Sequence, residues 1–592
     1  MKITGCNHRF RDPAVFISGF IIILILALNL NFPAGKPKMG GEIWSDKAGY
    51  YVYLPATFIY HFDAVKFPDS IERKTSNGFS LDLEKNKVLT KYTCGVAILV
   101  TPFFLTAHFL AHIFDQDANG FSMIYQWMAV MAAVFYLTLG LFFLKKLLDN
   151  YFRSWISYTT LLFLLCGTNL YFYGLDDVLM SHIYSFFLLS LFLFLLKKFL
   201  DGQEKKFVHF IFLSIVASLL VLVRPTNIVL LLIFLFFDVQ SVKGIRKRIS
   251  LLLKPKYLIT FFVIPFIIFF PQMLYWKYAY GTIIHYTYIG EGFTNWLHPR
   301  IIEIWFSPIN GLFLYNPILI FFIIGILLMI LKRSQNGIFI FLFFMLISYI
   351  FSSWCIWYYG GCHGSRPFVD FYPLLCLPFG YMVDYIYYRK KITLKIIFTA
   401  LIVFFSFFNI KLIYNYQCFL GSTWGWDDFL QTLDRAGLYN LERSTYSYKN
   451  DFENITMDNG VPTTTQNCRS GSRSTFMIED MRYNCNYTRK VDDIIRHKII
   501  NKADLSVWIN PRFSGRTGVL LVFQISDSAG KPLCSKIIRA DDEIIRMGEW
   551  TEIKGSFEVP KGIDPTDKFS FYIWNYGMKR FYIDDLELKF IN

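Results

Sequence analysis

Residues 121–144 read FSMIYQWMAVMAAVFYLTLGLFFL, 24 consecutive positions without an Asp, Glu, Lys or Arg. A helix rises about 1.5 Å per residue, so about 20 apolar residues cross the ~30 Å hydrocarbon core of a bilayer. This stretch is long enough to do so. Ten further runs of the same kind lie at about 14–33, 154–174, 178–196, 207–223, 226–240, 257–278, 312–331, 338–355, 371–388 and 393–413. The whole chain agrees with them. Of 592 residues, 54% are hydrophobic and 19% aromatic, the mean hydropathy is +0.39, and only 17% are charged, against about 25% in a soluble domain. That composition excludes an ordinary soluble enzyme, a disordered chain and a nucleic-acid binder built on basic repeats. The first run follows Lys2, Arg9 and Arg11, as a signal peptide would. With ten spans after it and no small-residue cleavage site, it reads as a retained anchor.

The net charge of +15 is unevenly placed. From Tyr414 onward there are 23 Lys and Arg against 24 Asp and Glu, so the excess belongs to the membrane part. With the N-terminus inside, six inner loops (1–13, 145–153, 197–206, 241–256, 332–337 and 389–395) hold 22 Lys and Arg. The short outer loops hold four: Arg224, Lys277, Arg300 and Arg366. Cytoplasmic loops carry the basic excess, so eleven spans put the C-terminus outside. Segment 92–114 is also apolar, but counting it as a crossing would invert every later span; it reads as a re-entrant or surface-lying helix.

The expected architecture is a polytopic α-helical membrane domain of about 11 transmembrane helices over 1–413, with a first extracytoplasmic loop at 34–120. An extracytoplasmic tail, 414–592, follows it. Within the tail, alternation of apolar and polar residues predicts strands at Ala503–Ile509, Thr517–Ser526, Cys534–Ala540, Trp550–Val559, Asp567–Trp574 and Arg580–Phe590. Asp527-Ser528-Ala529-Gly530 is a hairpin turn signal. Short strands at this spacing predict an antiparallel sandwich or jelly roll mainly over 440–592. The ending Phe581–Leu588 resembles the last strand of carbohydrate-binding-module-like jelly rolls. Trp508, Trp550 and Trp574 read as core aromatics, with sugar stacking as the alternative. An outer tail would sit in an oxidising space, where a Cys468–Cys485 disulfide could form. Asn454-Ile455-Thr456 and Asn486-Tyr487-Thr488 are glycosylation sequons.

The polar residues at the ends of the spans concentrate on the expected outer side. Asp46, Tyr50 and Tyr51 follow the first span, and Lys91 precedes the surface helix. Asp176, Asp177 and His182 lie between two spans, and Arg224 joins the next outer pair. His363 and Arg366 fill the last outer loop. Ionisable residues at the membrane rim are costly and often functional. A carboxylate there can take a proton from an attacking hydroxyl or hold a metal that does so. Lys and Arg bind phosphate, Arg through a planar fork. Gly360, Gly361 and Gly364 would let backbone approach a ligand. Neither a GxGxxG after a strand nor a Walker sequence is present, and nucleotide sugars are confined to the cytoplasm. A lipid-borne phosphate donor satisfies both facts.

Asp46-x-x-x-Tyr50-Tyr51, Lys91-Tyr92-x-x-Gly95, Arg224-Pro225-Thr226, Ser307-Pro308-x-x-Gly311-Leu312 and Gly364-x-Arg366 occur in that order. In order and sidedness this set resembles the GT-C superfamily of polytopic glycosyltransferases, which includes protein O-mannosyltransferases and the lipid A aminoarabinose transferase. The resemblance covers about 1–413. It implies transfer of a sugar from a polyprenyl-phosphate donor to an extracytoplasmic glycan, lipid or protein. It implies Asp46 as the base, and Asp176 or Asp177 as a second acid placing acceptor or metal. Lys91 and Arg366 would hold the donor phosphate with Arg224 and His363 in support, and Tyr50, Tyr51 and His182 would bind substrate. Many relatives carry two adjacent acids in the first loop, whereas Ser45 and Lys47 flank Asp46, so a divalent metal is left open. The rival readings are a transporter or flippase of lipid-linked sugars, a non-catalytic membrane-anchored glycan-assembly protein, and an O-antigen-ligase-like transferase using a diphosphate donor. The expected location is a bacterial inner membrane.

Overall fold

In a computed structural model the chain divides into two compact units, Met1–Ile413 and Tyr414–Asn592. The structure describes residues 11–33, 41–202, 206–239, 241–416, 424–439, 445–453, 462–494, 500, 502–513, 517–528, 530–542, 546–560, 563–564 and 566–591. The sequon at Asn454 lies outside the described residues.

The first unit is helical. It runs α1 (Arg11–Asn31), α2 (Asp46–Tyr51), α3 (Tyr53–Phe58), α4 (Ile71–Lys74), a small hairpin of β1 (Ser80–Asp82) and β2 (Lys87–Leu89), then α5 (Gly95–Ile113), α6 (Met123–Leu148), α7 (Ser154–Gly167) and α8 (Leu170–Leu175). It continues with α9 (Ser181–Asp201), α10 (Lys206–Val223), α11 (Leu230–Phe236), α12 (Val242–Leu252) and α13 (Pro255–Tyr280). The last helices are α14 (Ile301–Phe306), α15 (Leu312–Tyr315), α16 (Leu319–Leu331), α17 (Gly337–Ser352), α18 (Tyr372–Arg389) and α19 (Ile392–Asn415). Among the described residues, seven helices are long and apolar enough to cross a membrane: α1 from Asp12, α5, α6, α9, α10, α13 and α19. Four of the eleven expected spans are shorter apolar helices or contain one: α7, the segment Pro225–Phe236, α16 and α17. The 154–174 run breaks at Thr168-Asn169, whose side chains take up hydrogen bonds, and continues as α8. Segment 92–114, expected to be re-entrant or surface-lying, is a 19-residue helix, α5, that meets the same length and composition criterion.

The helix ends sort into two sets by their polar contacts. Asp12 binds Lys145, Lys146 and Tyr158; Asp238 binds Lys197, Tyr151 and Asn336; Trp155 binds Tyr388. These residues lie in or beside the loops expected to be inner. The loops expected to be outer join one another instead, through Asp46, Lys47, Lys91, Asp177, Arg224, Glu291, Arg366 and Asp370. No ion pair among the described residues of this unit crosses between the sets.

The second unit begins with α20 (Trp426–Arg435) and then β3 (Thr445–Asn450), β4 (Thr463–Thr464), β5 (Ser474–Met477), β6 (Tyr483–Lys490), α21 (Val491–Ile494) and β7 (Lys502–Pro511). It ends with β8 (Val519–Ser526), β9 (Pro532–Arg539), β10 (Thr551–Glu558), β11 (Lys568–Asn575) and β12 (Phe581–Ile591). One antiparallel sheet has the order β10-β7-β12-β5-β4 with β3 also on β12; the other is β6-β11-β8-β9. Their facing rows share one core: Leu505, Val507 and Ile509 of β7, Leu521, Phe523 and Ile525 of β8, Phe569 and Phe571 of β11, Ile583 and Leu588 of β12. This is the two-sheet sandwich expected from the alternation. All six expected strands are present.

Two tail expectations are corrected. Trp508 and Trp574 are not core residues: Val507 and Ile509 take the inward row, so Trp508 faces out, where the Arg469 guanidinium covers its ring at 3.7 Å. Trp574 likewise faces out, beside Tyr483 and Tyr576. Trp550, at the edge of β10, is half-buried. Cys468 and Cys485 are both free thiols. Cys485 is in the sandwich core, while the Cys468 thiol turns to the Thr464 carbonyl in its own loop.

Candidate functional site

Asp46 opens α2, directly after Ser45, whose backbone is left-handed with φ 50°. The short helix is pinned into the bundle: the Thr90 hydroxyl donates to the Gly49 carbonyl at 2.8 Å, and a Cβ at Gly49 would stand 2.3 Å from the Tyr92 ring. Only glycine permits that approach. The Tyr92 ring also packs on Tyr50, with centroids 4.3 Å apart. The 88–94 segment is held in turn by α13: the Thr90 amide donates to the Tyr275 hydroxyl at 2.8 Å and the Cys94 amide to Gln272 at 2.7 Å.

Asp46 faces Arg366, whose Nη2 donates to Oδ2 at 3.2 Å. Burial works to raise the Asp46 carboxyl, but the Arg366 guanidinium, a hydrogen bond from Tyr92 and the nearby Lys91 charge hold it below the ordinary carboxylate range. Asp46 is therefore ionised at neutral pH. Lys91 lies over the rings of Tyr92 and Tyr288, 5.6 and 5.2 Å from their centroids, and pairs with Glu291 at 2.9 Å. The Asp46 and Lys91 side chains are each about one-third exposed, at 33% and 38%. One acid and two cations from three distant segments thus meet where a ligand can enter.

Behind them lies a buried polar layer. The Asp370 carboxylate accepts from His182 Nδ1 at 2.8 Å and pairs with Arg224 Nε at 3.0 Å. Arg224 Nη1 lies 3.2 Å from His182 Nε2, so a neutral ring with its proton on Nδ1 satisfies both neighbours. Arg224 also reaches Ser181 at 3.4 Å, and Ser181 donates to the Tyr50 hydroxyl at 3.2 Å. This chain connects Asp370 to the wall of the Asp46 site. Asp370 is 1% exposed, and burial pushes its carboxyl up to about 7 against the pull of Arg224.

The remaining expected residues lie elsewhere. Asp177 pairs with Lys47 at 3.0 Å, and Lys47 also reaches Glu42 at 3.0 Å. Burial alone would lower the Lys47 ammonium, and the two acids more than reverse it. The residue that replaces a second acid beside Asp46 therefore ties Asp177 into a structural ion pair. Asp176, next to it, is half-buried. Tyr51 turns away from Tyr50 into the core and donates to the Gly120 carbonyl at 2.7 Å. His363 is fully buried between the Phe172 and Tyr315 rings, and burial pushes its imidazole down to about 3. The ring is therefore neutral at neutral pH and enclosed by these aromatics. Among the described residues, no three His, Cys, Asp or Glu side chains come together that could hold a metal ion.

The sequence reading missed Asp370 and Glu291. Asp370 sits one residue before a span, in Arg366-Pro367-Phe368-Val369-Asp370-Phe371, where an acid bordered by apolar residues was the available signal. Glu291 lies in the 281–300 connection, whose docking on 352–355 depends on backbone bonds such as Cys355 N to Gly292 O at 2.8 Å. No pattern in the sequence encodes that.

No family model matches the chain, and no curated protein does. One solved structure, an arabinose-bound MgGH51 α-L-arabinofuranosidase, is similar over 20% of this chain and 19% of its own, with 14% identity and a TM-score of 0.15. A likeness that slight carries no argument.

Proposed function

We propose that the protein is an integral membrane glycosyltransferase that moves a sugar from a polyprenyl-phosphate-linked donor to a glycan, lipid or protein acceptor on the non-cytoplasmic side. The observation that carries this reading is the meeting of Asp46, Arg366 and Lys91 in a partly open site at one end of the bundle. In this reading the acceptor hydroxyl oxygen attacks the anomeric carbon, its proton passes to Asp46, and the bond from that carbon to the phosphate oxygen breaks. The phosphate leaves with the electron pair, stabilised by Arg366 and Lys91. A single displacement inverts the anomeric configuration.

The Asp46–Arg366 pair adds a constraint. A carboxylate held low by a guanidinium is a weak base. A donor phosphate competes for the same guanidinium and, by drawing it away, restores the basicity of Asp46. Donor binding would then precede activation of the acceptor. Asp176 and Asp177 are assigned no chemical step, since Lys47 occupies Asp177. Bacterial inner membrane is the proposed location, with the basic loops on its cytoplasmic side.

Retention of polyprenyl phosphate, the leaving lipid, by the purified chain tests the site. Native mass spectrometry should find it bound to wild type and at least tenfold weaker in Arg366→Lys, which keeps the charge but loses the fork. Equal retention would remove Arg366 from the phosphate site. The flippase reading draws on one observation: Asp46–Arg366 and Lys91–Glu291 link distant segments as gating pairs would. It predicts movement of the donor across vesicles without transfer.

A further inference from the structure

Helix α12 is unlike the other helices of the first unit. The stretch 241–256 reads SVKGIRKRISLLLKPK, with six cations and no acid. The nearest acid before it, Asp238, is engaged by Lys197, Tyr151 and Asn336. Arg248 points inward and donates to the Phe234 and Leu235 carbonyls at 2.7 and 3.2 Å, satisfying orphan acceptors at the end of α11. Leu251 and Leu252 pack on the bundle. The rest faces out. Val242, Ile249 and Leu253 are 66%, 44% and 65% exposed. On a helical wheel they share an arc of about 40°, and the exposed Lys243, Arg246 and Lys247 fill the adjoining arc of about 100°.

Chain connectivity fixes where this helix lies. Only Leu253 and Lys254 separate it from α13, an apolar helix long enough to span, whose Ile259, Phe262, Phe266 and Ile267 are all exposed. Exposed apolar side chains beside a row of cations are unfavourable in water. They are satisfied at a bilayer boundary, where apolar groups enter the acyl region and basic heads reach the phosphates.

We infer that α12 is an interfacial helix that binds anionic phospholipid headgroups, with Lys243, Arg246 and Lys247 as the contacts and Arg248 as its tether. The occupant is a negatively charged lipid surface, because the patch is purely cationic and borders a helix with an apolar exposed face. Each such cation contributes roughly a fivefold preference for an anionic surface at moderate salt, so losing all three costs at least tenfold.

The test places the full chain in nanodiscs of phosphatidylcholine with increasing phosphatidylglycerol. Native mass spectrometry counts retained lipids, and hydrogen exchange follows 241–253. Wild type should keep phosphatidylglycerol over phosphatidylcholine, with exchange slowed as the anionic fraction rises. Lys243→Gln/Arg246→Gln/Lys247→Gln, which leaves Arg248 intact, should lose that preference at least tenfold. Lys243→Arg/Arg246→Lys/Lys247→Arg should retain it, which separates charge from a folding defect. An unchanged preference in the Gln variant would overturn the inference. So would displacement of the lipid by inorganic phosphate, because that would mark a free-anion site.

Discussion

Lys47→Met removes the cation that holds two acids together. Lys47 Nζ lies 3.0 Å from Glu42 Oε2 and 3.0 Å from Asp177 Oδ1; the Lys47 and Glu42 side chains are 10% and 3% exposed. At that separation and an effective dielectric of about 20, each pair is worth about 5 kcal/mol before desolvation is charged against it. Breaking a buried pair by deleting one partner costs about 3–5 kcal/mol net, because the other charge is stranded. Asp177 is 25% exposed and can recover hydration, so the lower end, about 3 kcal/mol, is expected. The assay is unfolding in mixed detergent–SDS micelles followed by circular dichroism. Glu42→Gln added to Lys47→Met should recover about 2 kcal/mol, because the stranded carboxylate is gone. Lys47 titrates above the ordinary lysine value, so its contribution is present throughout neutral pH and is lost only as pH rises through that raised value. A loss below about 1 kcal/mol, or a double variant additive within about 0.5 kcal/mol, would refute the assignment of Lys47 and Asp177 to structure.

Asp370 ionises near 7 rather than at 3.8, so the folded chain holds a proton that the unfolded chain releases, and stability falls as pH rises from about 4 to about 7. Asp370→Asn, facing His182, Arg224, Asn227 and Ser185, should flatten that decline in a thermal melt; a variant with the wild-type slope would contradict it. Asp46 titrates below the ordinary range in the free chain, so Asp46 protonation should not lower kcat/KM between pH 5 and 8. Lys91→Gln removes a charge that lowers Asp46, so a rate loss in that window that Lys91→Gln shifts upward would contradict this. In the tail, the buried Asp584 carboxylate accepts from the Arg469 and Ser470 amides at 2.8 and 3.2 Å. Asp584→Ala should raise hydrogen exchange at 467–472 at least tenfold, and unchanged exchange would show that the loop is held otherwise.

Apolar length and strand alternation are read directly from sequence because each is a local period. Hence six of the eleven expected spans fall on helices long enough to cross a membrane, and the six strands from 502 onward coincide with expectation. The strands before them were not legible: β4 and β5 have two and four residues, and β6 reads YNCNYTRK, too polar to announce itself. Within the site, the convergence of Asp46, Lys91, Arg224 and Arg366 on one end followed from loop sidedness. Their partners did not. That Lys47 takes Asp177, that Asp370 rather than Asp176 buttresses Arg224, and that His363 packs on Phe172 depend on contacts between segments more than 100 residues apart. Tyr50 and Tyr51 show the limit within a single turn. Neighbouring residues on a helix point about 100° apart, so one lines the site and the other enters the core.

The central claim is that Asp46 takes a proton during sugar transfer. The measurement that addresses it most directly is surface-glycan composition by mass spectrometry in wild type, a gene deletion, and the deletion complemented with Asp46→Asn. The account predicts that one sugar disappears in the deletion and stays absent with Asp46→Asn although the variant is present in the membrane. Restoration of that sugar by the Asn variant would contradict it and move a transport or assembly role to the front.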